Sequence, residues 1–590
     1  MIALFNAELL RFRVWIIGAT IGHLAWLIFL DRVADPMQQP LQVVQIYAGL
    51  LAAIGALFGA FQFSAYARQA AWIDLLHRPL APRRIGGALL LAGLVIAALV
   101  VALPAALLLA FHHLTGGSAV ETRHLLLPVA GWTITGIGYC IGAHLRIGAP
   151  RFAWASLLLL VWIHQSQAFG PGAVLLQLIA LSTAMLLALG DVRPDRGRHD
   201  FVWHRWSETL LAGFAIGIAG TFALRFLMQL AMMMIGTHPL NGIPPPGGLV
   251  EAVRSDGQEL IVAGLDQSDP QQRFWAEQAT LSEVVTTGPD IGDPSQRYSL
   301  ANPGDNVIVD GPARLEWHFD HGRMRYRAMD QRTRRPAHEA PLAPLLQVPP
   351  VSESDGKLIV AGNRLLTYAE GERRFFDRIA LPPGERLIAA PQPAWDRLAL
   401  LSNNALRIYD ARVIQRGDLA FPVIATVPFP HAPAGLARVD MLELLDGYLV
   451  SFTFGSKAVE GFGRPEQQIW LVEADRQVHV ATRSLGYDYP AAMRHLDLWF
   501  APAINVAGRS AARWLAASNP LADRGPRYAP DWIYALGIVV HFLSALAGWL
   551  RSYRLGQAPS ERTIWALACM LLGPAMLAAQ LLACRRRRPC

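Results

Sequence analysis

The sequence predicts a polytopic α-helical membrane protein of about eight to nine hydrophobic segments, carrying an extracytoplasmic all-β, propeller-like domain. Three observations lead there. Of 590 residues, 53% are hydrophobic and only 16% charged, whereas a soluble chain carries about 25% charged residues. The deficit falls in blocks: apolar tracts fill 14–235 and 532–584, and an ordinary polar composition fills 237–528. Inside the polar block, short alternating runs replace the helical period. This pattern excludes a soluble enzyme, a disordered chain and a fibrous protein.

Taken in order, residues 1–13 come first. Ile2, Phe5, Leu9 and Phe12 share one helical face, with Asn6, Glu8 and Arg11 away from it. The pattern predicts an amphipathic helix on the membrane surface leading into the first span, with no cleavable signal peptide. Spans need about 20 apolar residues. Candidates are 14–30, 41–65, 87–111, 124–145, 152–168, 171–190 and 209–235, then 531–550 and 563–584 after the polar domain at 237–528, with a basic tail at 585–590. The fifth and sixth are short and meet at Phe169-Gly170-Pro171-Gly172, which suggests a tight hairpin.

Arginine orients the spans, because positive charge stays on the cytoplasmic side. The net charge is +7, and Lys357 and Lys457 are the only lysines. With residue 1 inside, the inner segments hold Arg11, Arg13, Arg68, Arg78, Arg83, Arg84, Arg146, Arg151, Arg193, Arg196, Arg198, Arg205, Arg551, Arg554 and Arg562. The short outer loops hold Arg32 and Arg123. The bias places 237–528 outside, in a bacterial inner membrane protein. It also attaches the basic surplus to span ends rather than to nucleic acid, which is not expected as a partner. One conflict remains: nine spans would leave Arg585 to Arg588 outside, so either 563–584 turns back at Gly573-Pro574 or the count is wrong by one.

In the outer domain, Leu358–Val360, Asn363–Tyr368 and Arg374–Ile379 read as strands, as do Trp395–Leu401 and Ala405–Asp410 around Asn403-Asn404. Met441–Leu445 pairs with Tyr448–Phe454 around Asp446-Gly447, and Gln468–Val472 with Gln477–Thr482. Turns near 371, 404, 447 and 475 approximate the spacing of propeller blades, although a sandwich competes. The domain holds no cysteine, since the four are Cys140, Cys569, Cys584 and Cys590, so it rests on its core. Asp305, Asp310, His318, Asp320 and His321 offer metal-ligand types without a repeated spacing, and a polar strand edge accounts for them better than a metal. No metal site and no catalytic residue is expected.

The most informative stretch joins the second and third spans, over 66–86. Trp72, Leu75 and Leu76 can share an apolar face, and Asp74, His77 and Arg78 a polar one. Pro79 and Pro82 stop the helix, and Arg83 and Arg84 anchor the next span. On spacing alone this is a basic loop or a short crosswise helix. A surface helix, two spans and a "Leu-Leu-x-Arg-Pro-Leu-x-x-x-Arg-Ile" turn into a third span resemble the permease subunits of the ABC type-2 exporter family over about residues 1–190. The resemblance implies that this turn is a coupling helix docking on an ATPase, with Trp72, Asp74, Leu75, Leu76, Arg78, Pro79, Arg83 and Arg84 as the docking region. It further implies a permease homodimer or heterodimer. The seventh span, the β-domain and the C-terminal segments depart from the family's minimal pattern.

No Gly-x-x-x-x-Gly-Lys-[Ser/Thr] loop exists around either lysine, so ATP and Mg²⁺ would sit on a separate chain and this one carries no cofactor. Arg225 and Gln229, one turn apart within 209–235, read as an interfacial pair or as part of a translocation path. His23, His144, His164 and His541 read as packing or interfacial histidines. Gly55-x-x-x-Gly59, Gly138-x-x-x-Gly142 and Gly213-x-x-x-Gly217 predict close helix packing. Rival readings are a membrane-anchored β-domain sensor or binding module, a polytopic glycosyltransferase using Asp31 or Asp35, and a membrane quinoprotein dehydrogenase.

Overall fold

The computed structural model describes residues 1–590 except 35, 38, 67–71, 74–76, 78–79, 116–119, 149, 166–169, 193–201, 292–296, 302–306, 334, 338–343, 354–357, 371, 413–420, 474–475, 516–520, 522–524 and 585–590. Contacts divide the chain into two compact units along lines that cut across the compositional blocks. One comprises 1–218, 295–349 and 543–590; the other comprises 219–294 and 350–542.

Seven helices among the described residues are long and apolar enough to cross a membrane. They are α1 (Ile2–Val33), α2 (Leu41–Tyr66), α3 (Pro82–Thr115), α4 (Thr122–Ile147), α5 (Gly170–Gly190), α6 (Val202–Ile235) and α7 (Asp531–Arg554). Two of the nine expected spans are therefore broken. Residues 150–165 form a helical turn at Pro150–Ala153, a 3₁₀ turn at Trp154–Leu157 and a short helix at Leu158–Gln165. The Ser156 hydroxyl donates back to the Ala153 carbonyl at 2.6 Å, a bond that competes with the helical ladder. The last segment is split into α8 (Pro559–Leu572) and α9 (Pro574–Ala583) by Gly573, whose φ of 66° and ψ of −150° favour glycine.

The expected surface helix at 1–13 is not separate either. Residues 2–33 form one helix, and the face turned inward is Leu4, Glu8 and Phe12. The sequence pattern put Glu8 towards water; it is 3% exposed.

Helix α4 starts where Arg123 donates to the Ser299 carbonyl at 2.6 Å, and α5 starts where a Cβ on Gly170 would lie 2.6 Å from the Cβ of neighbouring Tyr298. At their other ends His144 Nδ1 and Asp191 Oδ2 are 2.5 Å apart. The two helices thus run parallel, and the broken segment 150–165 must carry the chain back between them. The fifth expected span is thus present as this broken segment rather than as a long helix. At the arginine-rich end, the Arg551 guanidinium donates to the Cys584 carbonyl at 2.6 Å, so α8 and α9 form a hairpin returning to where α7 ends. The turn back at Gly573-Pro574, one of the alternatives the sequence left open, is therefore present.

Helices α2 and α4 meet backbone to backbone. A Cβ on Gly59 would lie 2.9 Å from the carbonyl carbon of Tyr139, and one on Gly142 2.7 Å from that of Ala56; Gly55 and Gly138 face Thr135 and Ala52 in the same way. Small residues permit this approach where lipid offers no hydrophobic drive.

Helix α3 contains a π turn at Ala98–Ala102, where the Leu103 N–H bonds to the Ala98 carbonyl. Pro104 explains it, because proline has no N–H for the carbonyl four residues back. The released carbonyls find donors on α1: the Thr20 hydroxyl reaches Leu99 O at 3.2 Å and His23 Nδ1 reaches Val100 O at 2.7 Å. His23 Nε2 is then left to accept from the Tyr47 hydroxyl of α2, 2.5 Å away.

The strands form four separate antiparallel sheets, none closed. Three-stranded β2 (Val307–Asp310), β3 (Leu315–Asp320) and β4 (Arg325–Asp330) belong to the unit containing α1 to α5. The other unit holds β5 (Val351–Glu353), β6 (Leu358–Ala361), β7 (Arg364–Ala369) and β8 (Arg374–Ala380) as one meander. A second comprises β9 (Gln392–Ala394), β10 (Arg397–Leu401), β11 (Ala405–Asp410) and β12 (Val423–Pro428). The third is β13 (Leu436–Leu444), β14 (Gly447–Phe454), β15 (Glu466–Val472) and β16 (Gln477–Ser484), with β1 (Val284–Thr287) added beside β13. Their first strands begin at Val307, Val351, Gln392 and Leu436, spacings of 44, 41 and 44 residues.

Within the second unit, neighbouring sheets share cores. Leu365 and Ile379 pack with Leu400 and Tyr409, and Leu406 and Ile408 pack with Val439 and Phe452. The expected hairpins form, with one correction: Trp395 opens no strand. It sits in the β9–β10 turn with φ of 55°, and β10 begins at Arg397. The polar block also begins with helices. Gly257–Gly264 and Pro270–Ala279, N-capped by Asp256 and Asp269, lay Ile261, Leu265 and Ala276 against Leu442 and Leu449.

Candidate functional site

The 66–86 stretch lies between α2 and α3. Its expected docking residues Asp74, Leu75, Leu76, Arg78 and Pro79 fall outside the described residues. Of the remainder, Trp72 is buried, not surface-facing: it is 4% exposed in one cluster with Leu4 of α1, Phe63 of α2, Ile85 and Leu89 of α3, and Tyr139 of α4. The His77 N–H bonds to the Ile73 carbonyl at 3.0 Å, one helical turn. Pro82 occupies the first turn of α3, where its missing N–H costs nothing. Arg83 and Arg84 follow, both exposed. Two arginines at a helix N-terminus oppose the helix dipole, so local helix energetics do not account for them.

Just inside the turn lies a polar network that the sequence did not reveal. Glu8 is the hub. Tyr66, the last residue of α2, donates its hydroxyl to Glu8 Oε1, and the amide of Gln62, one turn earlier, donates to Glu8 Oε2 at 2.9 Å. The Tyr139 hydroxyl of α4 donates to Gln62 Oε1 at 2.8 Å, and the Gln62 amide also reaches the Leu89 carbonyl of α3 at 3.3 Å. Arg11 lies 3.3 Å from Glu8 on the exposed side. Four helices are thereby tied together beside the turn. A buried network of this kind is stable only while each member keeps its partners, so α1 to α4 are coupled in their positions at this end.

Arg225 and Gln229 are half-buried on α6, and Arg225 Nε has no hydrogen-bond partner among the described residues.

The acidic and histidine residues near β3 do not converge. Asp305 lies outside the described residues, the Asp310 carboxylate accepts from the Ala313 N–H at 2.9 Å, and Asp320 accepts from the Arg323 N–H at 2.9 Å. His318 faces Glu316 at 3.5 Å. The His321 N–H instead donates to Glu121 Oε2 at 2.7 Å, in the loop before α4. Glu121 also pairs with Arg123 at 3.1 Å, both side chains being at most 1% exposed. Burial pushes the Glu121 carboxyl up to about 7, against the pull of Arg123 and of the His321 N–H.

No family model, curated protein or solved structure matches this chain.

Proposed function

We propose that this chain is the membrane-spanning subunit of an ATP-driven exporter of the ABC type-2 class. It would lie in a bacterial inner membrane with residue 1 in the cytoplasm and residues 237–528 outside. ATP and Mg²⁺ belong to a separate ATPase chain, and two permease chains form the pathway. The observation carrying this reading is the grip on the 66–86 turn. Trp72 is buried among residues of α1 to α4, and the adjacent Glu8 network joins the same four helices. A partner pressing on the turn, with Arg83 and Arg84 beside it, would displace several helices together. The arginine bias sets the orientation. The outer sheets are read as propeller-like blades that receive or gate cargo, supported by their recurrence every 41–44 residues.

The test is co-purification from the native host in mild detergent, comparing wild type with a Leu75→Asp, Pro79→Ala double variant. An ATPase that accompanies the wild type and is lost from the variant supports the reading and locates the docking site. If neither form retains an ATPase, the exporter reading fails.

A further inference from the structure

A second cluster, not used by the proposed transport cycle, lies where α4, α5 and α6 come together. His144 is near the end of α4, Asp191 directly follows α5, and Glu208 is early in α6. They are 1%, 5% and 1% exposed. One ligand atom from each lies within 4.8 Å of the others. The backbone makes room for them: a Cβ on Gly148 would lie 2.6 Å from Asp191 Oδ2.

We propose that His144, Asp191 and Glu208 form a binding site for one divalent transition-metal ion of the zinc or manganese type. The donor set decides the class. Imidazole nitrogen with two carboxylates suits such ions, whereas Ca²⁺ and Mg²⁺ take oxygen ligands and Cu⁺ takes sulfur. Distances agree as well. Donors about 2.1 Å from a tetrahedral ion lie roughly 3.4 Å apart. His144 Nδ1 and Asp191 Oδ2 are 2.5 Å apart, and one ligand atom from each of the three residues lies within 4.8 Å of the others. Side-chain shifts of about 1 Å would bring all three to that geometry. The ion would pin three helices that are distant in sequence, and the site depends on no part of the exporter reading.

The experiment uses the full chain in detergent, purified through a tag without histidine, with metals quantified by mass spectrometry. Wild type is expected to carry about one zinc or manganese ion per chain, and Glu208→Gln and Asp191→Asn to lose it. Chelator-stripped wild type is then titrated with Zn²⁺ and with Mn²⁺. Its unfolding midpoint should rise by a few degrees and saturate near one equivalent, a shift absent from both variants. Should a variant aggregate, cobalt-substituted wild type provides the second readout, with visible bands expected from a nitrogen–oxygen ligand field. Wild type without stoichiometric metal and without a Zn²⁺- or Mn²⁺-dependent shift would overturn the site. A shift of equal size in the variants would overturn it too, because the ion would then bind elsewhere.

Discussion

Alanine at Gly59 should destabilise the protein, and alanine at Gly49, ten residues earlier on the same helix, should not. At both positions alanine gains about 1 kcal/mol of helix propensity. At Gly49 nothing lies within 4 Å of the added Cβ, so that gain stands alone. At Gly59 the Cβ falls 2.9 Å from the Tyr139 carbonyl carbon and 3.0 Å from the Ala143 nitrogen, closer still to the Tyr139 oxygen. Carbon atoms prefer about 3.5–4.0 Å, and the oxygen is nearer than either of these atoms, so α2 and α4 must part by more than about 1 Å at their closest approach. Overpacking of this kind costs about 1–3 kcal/mol, sometimes more, and here the obstacle is backbone, which cannot swing aside. The clash outweighs propensity, and the two variants should differ by about 2–3 kcal/mol, or about 2–4 °C in unfolding midpoint for a chain of this size. Heating followed by size-exclusion chromatography of detergent-solubilised protein measures this. Equal midpoints, or a more stable Gly59→Ala, would refute the backbone-to-backbone crossing.

Two other outcomes follow from the helix bundle and its outer loop. His23→Leu should cost about 1–3 kcal/mol by leaving the Val100 carbonyl without a donor, and Pro104→Ala in the same chain should recover much of it by restoring an N–H; additive losses in a double-mutant cycle on Tm would refute the link. Glu121 gives a pH dependence of definite sign. Its folded value of about 7 lies above its ordinary 4.5, so the folded state holds the proton more tightly. The resulting stability is fully present below 4.5 and lost as pH rises through 7. Unfolding midpoints should therefore contain a component falling across that window that Glu121→Gln removes, and an identical profile in the variant would exclude Glu121 as its source.

What was legible in the sequence depended on how local the deciding interaction is. The hairpins at Asn403-Asn404 and Asp446-Gly447 were readable because turn residues and alternation lie within a dozen positions. The two glycine motifs at 55–59 and 138–142 were readable as packing sites, but that they pack on one another was not, since small residues carry no address. Glu8 was misread because a carboxylate in an amphipathic pattern is assigned to water, while its partner Gln62 is 54 positions away. His144 looked like a packing histidine for the same reason: Asp191 and Glu208 reach it only after the chain has turned back twice. The break at 150–165 also escaped notice, because hydropathy measures apolar length and is blind to a single serine bonding back to its own turn.

In the membrane topology proposed above, the hairpin made by α8 and α9 bears on how the chain is divided between the two sides of a bilayer. It begins beside the end of α7 and finishes beside Arg551. An excursion that returns to its starting face changes nothing upstream: every loop before it keeps its side whether the hairpin is present or not. Residues 559–584 can thus be removed, replaced or lengthened without inverting the rest of the molecule. Removing the broken traverse at 150–165 would instead reverse the sidedness of everything that follows it. Two irregular apolar segments carry opposite topological weight, and the difference rests on where each one ends.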